Sequence, residues 1–193
     1  EPQSSQELFR RQLPLALPRG FTALQQRIPI ADSLLVLLSR TACFDFGSPG
    51  IEQRLQQHLF ELVSAPSYVG HPIQAFFRIA CVCLTIYQGQ RSDGAQIIRD
   101  AKYVAGLHAA WSEAASQDER ALIEPKSAEA SLWAIFMVCV ATGSDGARWY
   151  HVIVKLMDDL QLRRWEQVRG MLLEFIYPVS LLDEPCKQFF SRL

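Results

Sequence analysis

Cys81-Val82-Cys83 is the first stretch whose residue types suggest chemistry, because paired thiolates bind soft metals and cycle through disulfides. The stretch is apolar and reads as helix, where residues two apart point about 200° from one another. The two thiols therefore cannot hold one ion between them, and no second cysteine pair or i, i+4 histidine pair completes a tetrahedral set. His58, His71, His108 and His151 never come within four residues of each other. Asp158-Asp159 does not complete a carboxylate motif: in the magnesium-binding DDxxD pattern of helical cyclases the fifth position is acidic, and here it is Leu162. A solvated acidic face is the plainer reading. Neither a GxSxG elbow nor a glycine-rich phosphate loop occurs. Arg163-Arg164, with Arg148 and Arg169, is the densest basic cluster, but Glu166 and Glu174 interrupt it, so snorkelling or internal pairing is expected over nucleic-acid contact.

A polar stripe remains. Gln74, Arg78, Cys81, Thr85 and Gln88 follow one another at spacings of four and three through an otherwise apolar run. Such a helix belongs inside a fold, meeting solvent or a partner along one line. Apolar helices carrying a few polar groups build small-molecule pockets, and they also make plain core. The aromatic residues Phe76, Phe77, Trp133, Phe136, Trp149 and Trp165 carry the same two readings.

The elements that would position these residues are helices. Asp32 reads as the N-cap of a short helix through SLLVLLSRTA. Ile51, Leu55, Leu59 and Leu62 recur on one face, with glutamines and Glu52 opposite, until Pro66. Pro72 suits the first turn of the apolar helix over 73–87. Asp93 is expected to cap a helix bearing Ile97, Ala101, Val104, His108 and Trp111. Residues 112–126 read as a surface loop with one helical turn. A very apolar helix over 127–142 follows, stopped by Gly143. Ser144 or Asp145 would cap the next, carrying Trp149, Ile153, Leu156, Met157 and Leu160. After a break at Leu162-Arg163-Arg164, a face of Trp165, Val168, Met171, Leu172, Phe175 and Ile176 runs to Pro178. Asp183 is expected to cap a last turn or two with Pro185, Phe189 and Phe190. No strand-period run stands out. The expectation is an all-α fold: one compact domain over 1–193, about seven or eight helices around two strongly apolar central ones, with a proline-rich wrapping arm over 1–30.

Bulk properties narrow the class. With 193 residues and 49% apolar content the chain can bury a large core. A formal net charge of −1 creates no field toward nucleic acid or anionic lipid. Five cysteines at irregular spacing do not form a disulfide framework, which suggests a reducing, intracellular compartment. The longest apolar runs are roughly ten residues, short of the 18 needed to span a bilayer. The chain starts at Glu1, as a processed or excised piece would.

Several stretches carry a resemblance. Leu132-Trp133-Ala134-Ile135-Phe136 followed by Arg148-Trp149-Tyr150 resembles the C-terminal part of fungal-specific transcription factor domains. So does Trp165-Glu166-Gln167-Val168 continuing to Phe175-Ile176-Tyr177 and Asp183-Glu184-Pro185. His71-Pro72-Ile73-Gln74 and Leu17-Pro18-Arg19-Gly20-Phe21 are similar to upstream parts of the same domains. The resemblance implies the helical regulatory domain that follows a zinc-cluster DNA-binding module in such regulators. The six-cysteine cluster itself is absent from these residues, so no direct DNA binding is expected.

The implied role is non-enzymatic modulation of transcription in the nucleus, without cofactor or metal. The implied partners are a hydrophobic small-molecule effector, a second copy of the chain or a transcriptional partner protein, with no membrane. A standalone interaction scaffold is the alternative, and a small all-α enzyme a further one. Pocket walls are expected from 73–87 and 131–141, through Gln74, Phe77, Arg78, Cys81, Trp133 and Phe136, with Gln74 or Arg78 orienting the ligand.

Overall fold

A computed structural model describes residues 16–44, 51–64, 72–91, 105, 108–109, 112, 115–116, 118–143 and 146–193. The described residues hold nine α-helices and no strand. They are α1 (Arg19–Gln25), α2 (Asp32–Ala42), α3 (Ile51–Ser64), α4 (Ile73–Arg91), α5 (Glu119–Leu122), α6 (Ala128–Thr142), α7 (Tyr150–Asp159), α8 (Trp165–Leu172) and α9 (Val179–Phe190). Short 3-10 turns, Pro125–Ser127 and Ala147–Trp149, lead into α6 and α7. The expected cap at Ser144 or Asp145 and all but one of the named residues of the Asp93 helix lie outside the described residues. Of that helix, His108 is described; it is helical and exposed.

The α4–α6 pair makes the most extensive helix contact. α4 also packs on α2 and α3, while α6 receives α1, α5, α7, α8 and α9. Every residue from Ala130 to Cys139 is buried, as is every one from Ile79 to Gly89. A helix buried on all sides needs no amphipathic face, which is why α6 reads as a continuous apolar run. It ends where Gly143 takes φ +66°, a left-handed conformation that other residues enter at a cost.

The α3 face is amphipathic: Leu55, Leu59 and Leu62 are buried, with Gln53, Gln56 and Gln57 exposed. Three boundaries differ from the sequence expectation. Ala31, not Asp32, precedes the first turn of α2, and Asp32 makes no capping bond, sitting instead where a carboxylate favours the helix dipole. The α8 helix stops at Leu172, so Phe175 and Ile176 leave it although they keep its spacing. Asp183 lies within α9, where its carboxylate accepts from Arg169 Nε at 2.7 Å and from the Tyr177 hydroxyl at 3.2 Å.

The segment 173–178 ties α1 to α6. Trp133 Nε1 on α6 donates to the Ile176 carbonyl at 2.9 Å, and the Phe175 ring stacks on the Trp133 indole with centroids 5.8 Å apart. Phe21 of α1 sets its ring edge-on to both, at 5.1 Å in each case. Gly20 passes so close that an added Cβ would lie 2.6 Å from the Phe175 ring, and its N–H donates to Glu174 O at 2.7 Å. No side chain larger than hydrogen fits there.

Candidate functional site

The polar stripe of α4 turns inward. Gln74, Cys81, Thr85 and Gln88 are buried and Arg78 is half-buried, so the line expected to meet solvent or a partner faces α2 and α3. Gln74 Oε1 accepts from the Ala31 N–H at 2.7 Å, at the start of α2. One Arg78 guanidinium nitrogen donates to the carbonyls of Leu62 and Val63 at the end of α3, 3.3 Å each. In both cases α4 side chains satisfy backbone groups at the termini of neighbouring helices, which is a packing role.

Midway along this seam Thr41 is the hub. Its hydroxyl donates to Leu37 O at 2.8 Å, and His58 Nε2 lies 3.0 Å from the same oxygen. With its one proton spent on Leu37, Thr41 Oγ1 is the acceptor, so the neutral imidazole carries its hydrogen on Nε2. Burial lowers the His58 pKa to about 4; the nearby Glu61 carboxylate opposes this and Arg40 adds to it. Phe44 stacks on the imidazole at 5.4 Å. The Cys81 thiol also meets Thr41, yet burial pushes its pKa up to about 12. Burial does the same to Cys83 and Cys186. All five cysteines are free, and only Cys43 is exposed.

Beyond Thr41 the seam opens into a cavity of about 490 Å³. The end of α2 (Thr41, Ala42) and Phe44 form one wall, with Gln88 from α4 beside them. Phe175 through Pro178 and the start of α9 (Ser180, Leu181) close the other side, with Pro18 at one edge. No charged side chain lines it. Its volume falls in the range of small-molecule sites.

Among its polar side chains, Thr41 has committed its proton to Leu37. The Tyr177 hydroxyl donates to Asp183 and also meets Cys186, and burial raises its pKa, so it stays protonated. Ser180 is exposed. Gln88 differs. The residue is 6% exposed and its Oε1 is buried with no hydrogen-bond partner.

None of the six residues singled out in the sequence lines this cavity or the 350 Å³ cleft between α2 and α3. Phe77 and Trp133 do come together, through the Phe21 ring that lies edge-on to each. Phe21 thereby fills the space beside them. Phe136 packs elsewhere, edge-on to Phe189 at 5.0 Å. Gln74, Arg78 and Cys81 spend their polar groups along the α4 seam. The sequence signal for the cavity was the last member of the stripe, Gln88; its aromatic and proline walls come from segments far apart in the chain.

Among the described residues no group of three or more His, Cys, Asp or Glu side chains could hold a metal ion, and no helix is long and apolar enough to cross a membrane. Asp158 pairs with Arg163, and Asp159 with Lys155 at 3.0 Å. Arg148 donates to the Ala115 carbonyl and Arg169 pairs with Asp183, so these arginines are held within the chain. Comparison with protein-family models, curated proteins and solved structures gives no match.

Proposed function

We propose that this chain is an effector-responsive regulatory domain of a fungal transcription factor: one compact helical unit around two strongly apolar central helices, α4 and α6. It acts in the nucleus as part of a full-length regulator, binds no DNA itself and catalyses no reaction. The observation that carries this reading is the uncharged cavity, whose walls come from Pro18, the end of α2, the end of α4 and the segment before α9. An occupant would touch all four, so its binding energy would favour whichever arrangement of them closes the walls, as a population shift requires. The likeness of Leu132–Phe136, Trp165–Val168 and Leu17–Phe21 to fungal regulatory domains supports the same role.

A thermal-shift screen of uncharged hydrophobic metabolites tests it. A compound present at 100 times its Kd stabilises the fold by about 2.7 kcal/mol. For a chain of this length that raises Tm by roughly 5–10 °C. If no neutral compound moves the transition, the effector reading fails.

A second reading, an interaction scaffold, draws on Phe60 and Val63. They lie three residues apart on α3 and are 70% and 55% exposed. Sedimentation across a concentration series tests self-association through that face. A strict monomer at the highest concentration removes it.

A further inference from the structure

We infer that the cavity takes an uncharged, largely apolar molecule that presents a hydrogen-bond acceptor, a ketone or lactone carbonyl, to the uncapped N-terminus of α9 and the Gln88 amide nitrogen. The inference rests on the effector reading above and names the chemistry of its ligand. The α9 helix runs twelve residues from Val179, and Pro178, Ser180 and Leu181 at its start line the cavity. Pro178 stands at the N-cap without a side-chain cap, and no acidic residue lies in the first turn. The N–H groups of Leu181 and Leu182 reach the Pro178 carbonyl, whereas those of Val179 and Ser180 have no acceptor among the described residues. The N–H groups at a helix start need partners from outside the helix, and the dipole there favours an electron-rich atom.

A second observation comes from α4. Gln88 is 6% exposed and lines the same cavity. Its amide makes no hydrogen bond at either end; the oxygen is sealed in, and the nitrogen is the end that keeps accessible surface. The other buried side-chain donors at the wall are spent, Thr41 on Leu37 and Tyr177 on Asp183. Three carbonyls at the wall are taken as well: Pro18 by the N–H groups of Phe21 and Thr22, Ile176 by Trp133, and Pro178 by α9 itself. Unpaired donors on two converging elements, beside carbonyls already engaged, call for an acceptor in the space between them.

The remaining lining sets the ligand's charge. Phe44, Phe175, Ile176 and Leu181 offer ring faces and aliphatic surface, and no charged side chain among the described residues lines the cavity. A carboxylate would lose its hydration there with only amide donors to replace it, and a neutral carbonyl loses far less.

Three naphthalenes of similar shape make the test: 2-acetylnaphthalene, 2-isopropenylnaphthalene and 2-naphthoate, measured by equilibrium dialysis against the full chain. A purely apolar cavity prefers the alkene, which has no carbonyl to dehydrate. The wild type is expected to reverse that order and hold the ketone at least about fivefold more tightly than the alkene, the size of effect one net hydrogen bond produces. It should bind 2-naphthoate more weakly than either. Gln88→Leu removes one donor, and Pro178→Ser gives α9 a side-chain cap that competes for the same N–H groups. Each should cut the ketone preference to within about twofold while alkene binding persists.

An alkene held as tightly as the ketone by the wild type overturns the proposal without recourse to any variant. So does 2-naphthoate as the tightest of the three, or binding of none of them. A ketone preference undiminished in either variant overturns it too, with Gln88→Met or Pro178→Thr taking the place of one that does not fold. A chain stabilised by other neutral metabolites but showing no ketone preference keeps the effector reading and loses this site. Ketone selectivity that depends on Gln88 and Pro178, without any change in transcriptional output of the full-length regulator, does the reverse.

Discussion

Lowering the pH from 7 to 5.5 is expected to destabilise the fold through one residue, His58. In the folded chain its imidazole is buried, 5% exposed, and its pKa is lowered to about 4 from the ordinary 6.5. Between those values the unfolded chain binds a proton that the folded chain refuses. Stability is therefore complete above pH 6.5 and falls with pH until the folded histidine itself titrates near 4. At 1.36 kcal/mol per unit, the whole window is worth roughly 3 kcal/mol. Most of that range overlaps the titration of carboxylates, but the step from pH 7 to 5.5 lies above it and isolates roughly 1 kcal/mol. Urea unfolding at fixed ionic strength measures the step in wild type and in His58→Gln, whose amide can still donate to Thr41 but never ionises. The wild type should lose roughly 1 kcal/mol more than the variant over this interval. Equal losses would show that the imidazole is not held neutral by its surroundings, and the hub around Thr41 would have to be redrawn.

Four further substitutions probe the packing. Trp133→Phe keeps an aromatic ring against Phe21 and Phe175 but leaves the Ile176 carbonyl without its donor, which should cost about 1–3 kcal/mol in denaturant unfolding. Gly20→Ala drives a methyl into the Phe175 ring, and a loss of about 1–3 kcal/mol is expected. Combining it with Phe175→Leu should cost less than the sum of the two single changes, whereas strict additivity would mean that the close approach is not the cause. Gly143→Ala meets no atom within 4 Å, so only its left-handed backbone is strained, and the expected loss is about 1 kcal/mol.

How much of this could be read from the residues alone depends on whether the cause was local. The α3 face was legible because Leu55, Leu59 and Leu62 repeat at helical spacing against a polar back. The stop at Gly143 was legible because one residue type suits that conformation. The end of α8 was not. Phe175 and Ile176 continue its apolar spacing, but their positions are set by Trp133, more than forty residues earlier, and by Phe21 at the other end of the described chain. Tertiary bonding overrides local pattern there. Asp183 misled for a similar reason: its carboxylate answers Arg169 and Tyr177 rather than the amides of a helix start. Gln88 stood in the visible stripe, yet its orphaned oxygen and the walls beside it exist only after four separate segments converge.

The nesting of Phe21 between Phe77, Trp133 and Phe175 carries a consequence for synthesis. This ring leaves the ribosome among the first residues described, while its stacking neighbour at position 175 is translated near the last. Until then the N-terminal segment has no finished berth, and its greasy side chains stay open to chaperones and proteases. Products truncated before that point should be cleared from the cell quickly, because the Phe21–Phe175 clasp then has only one half.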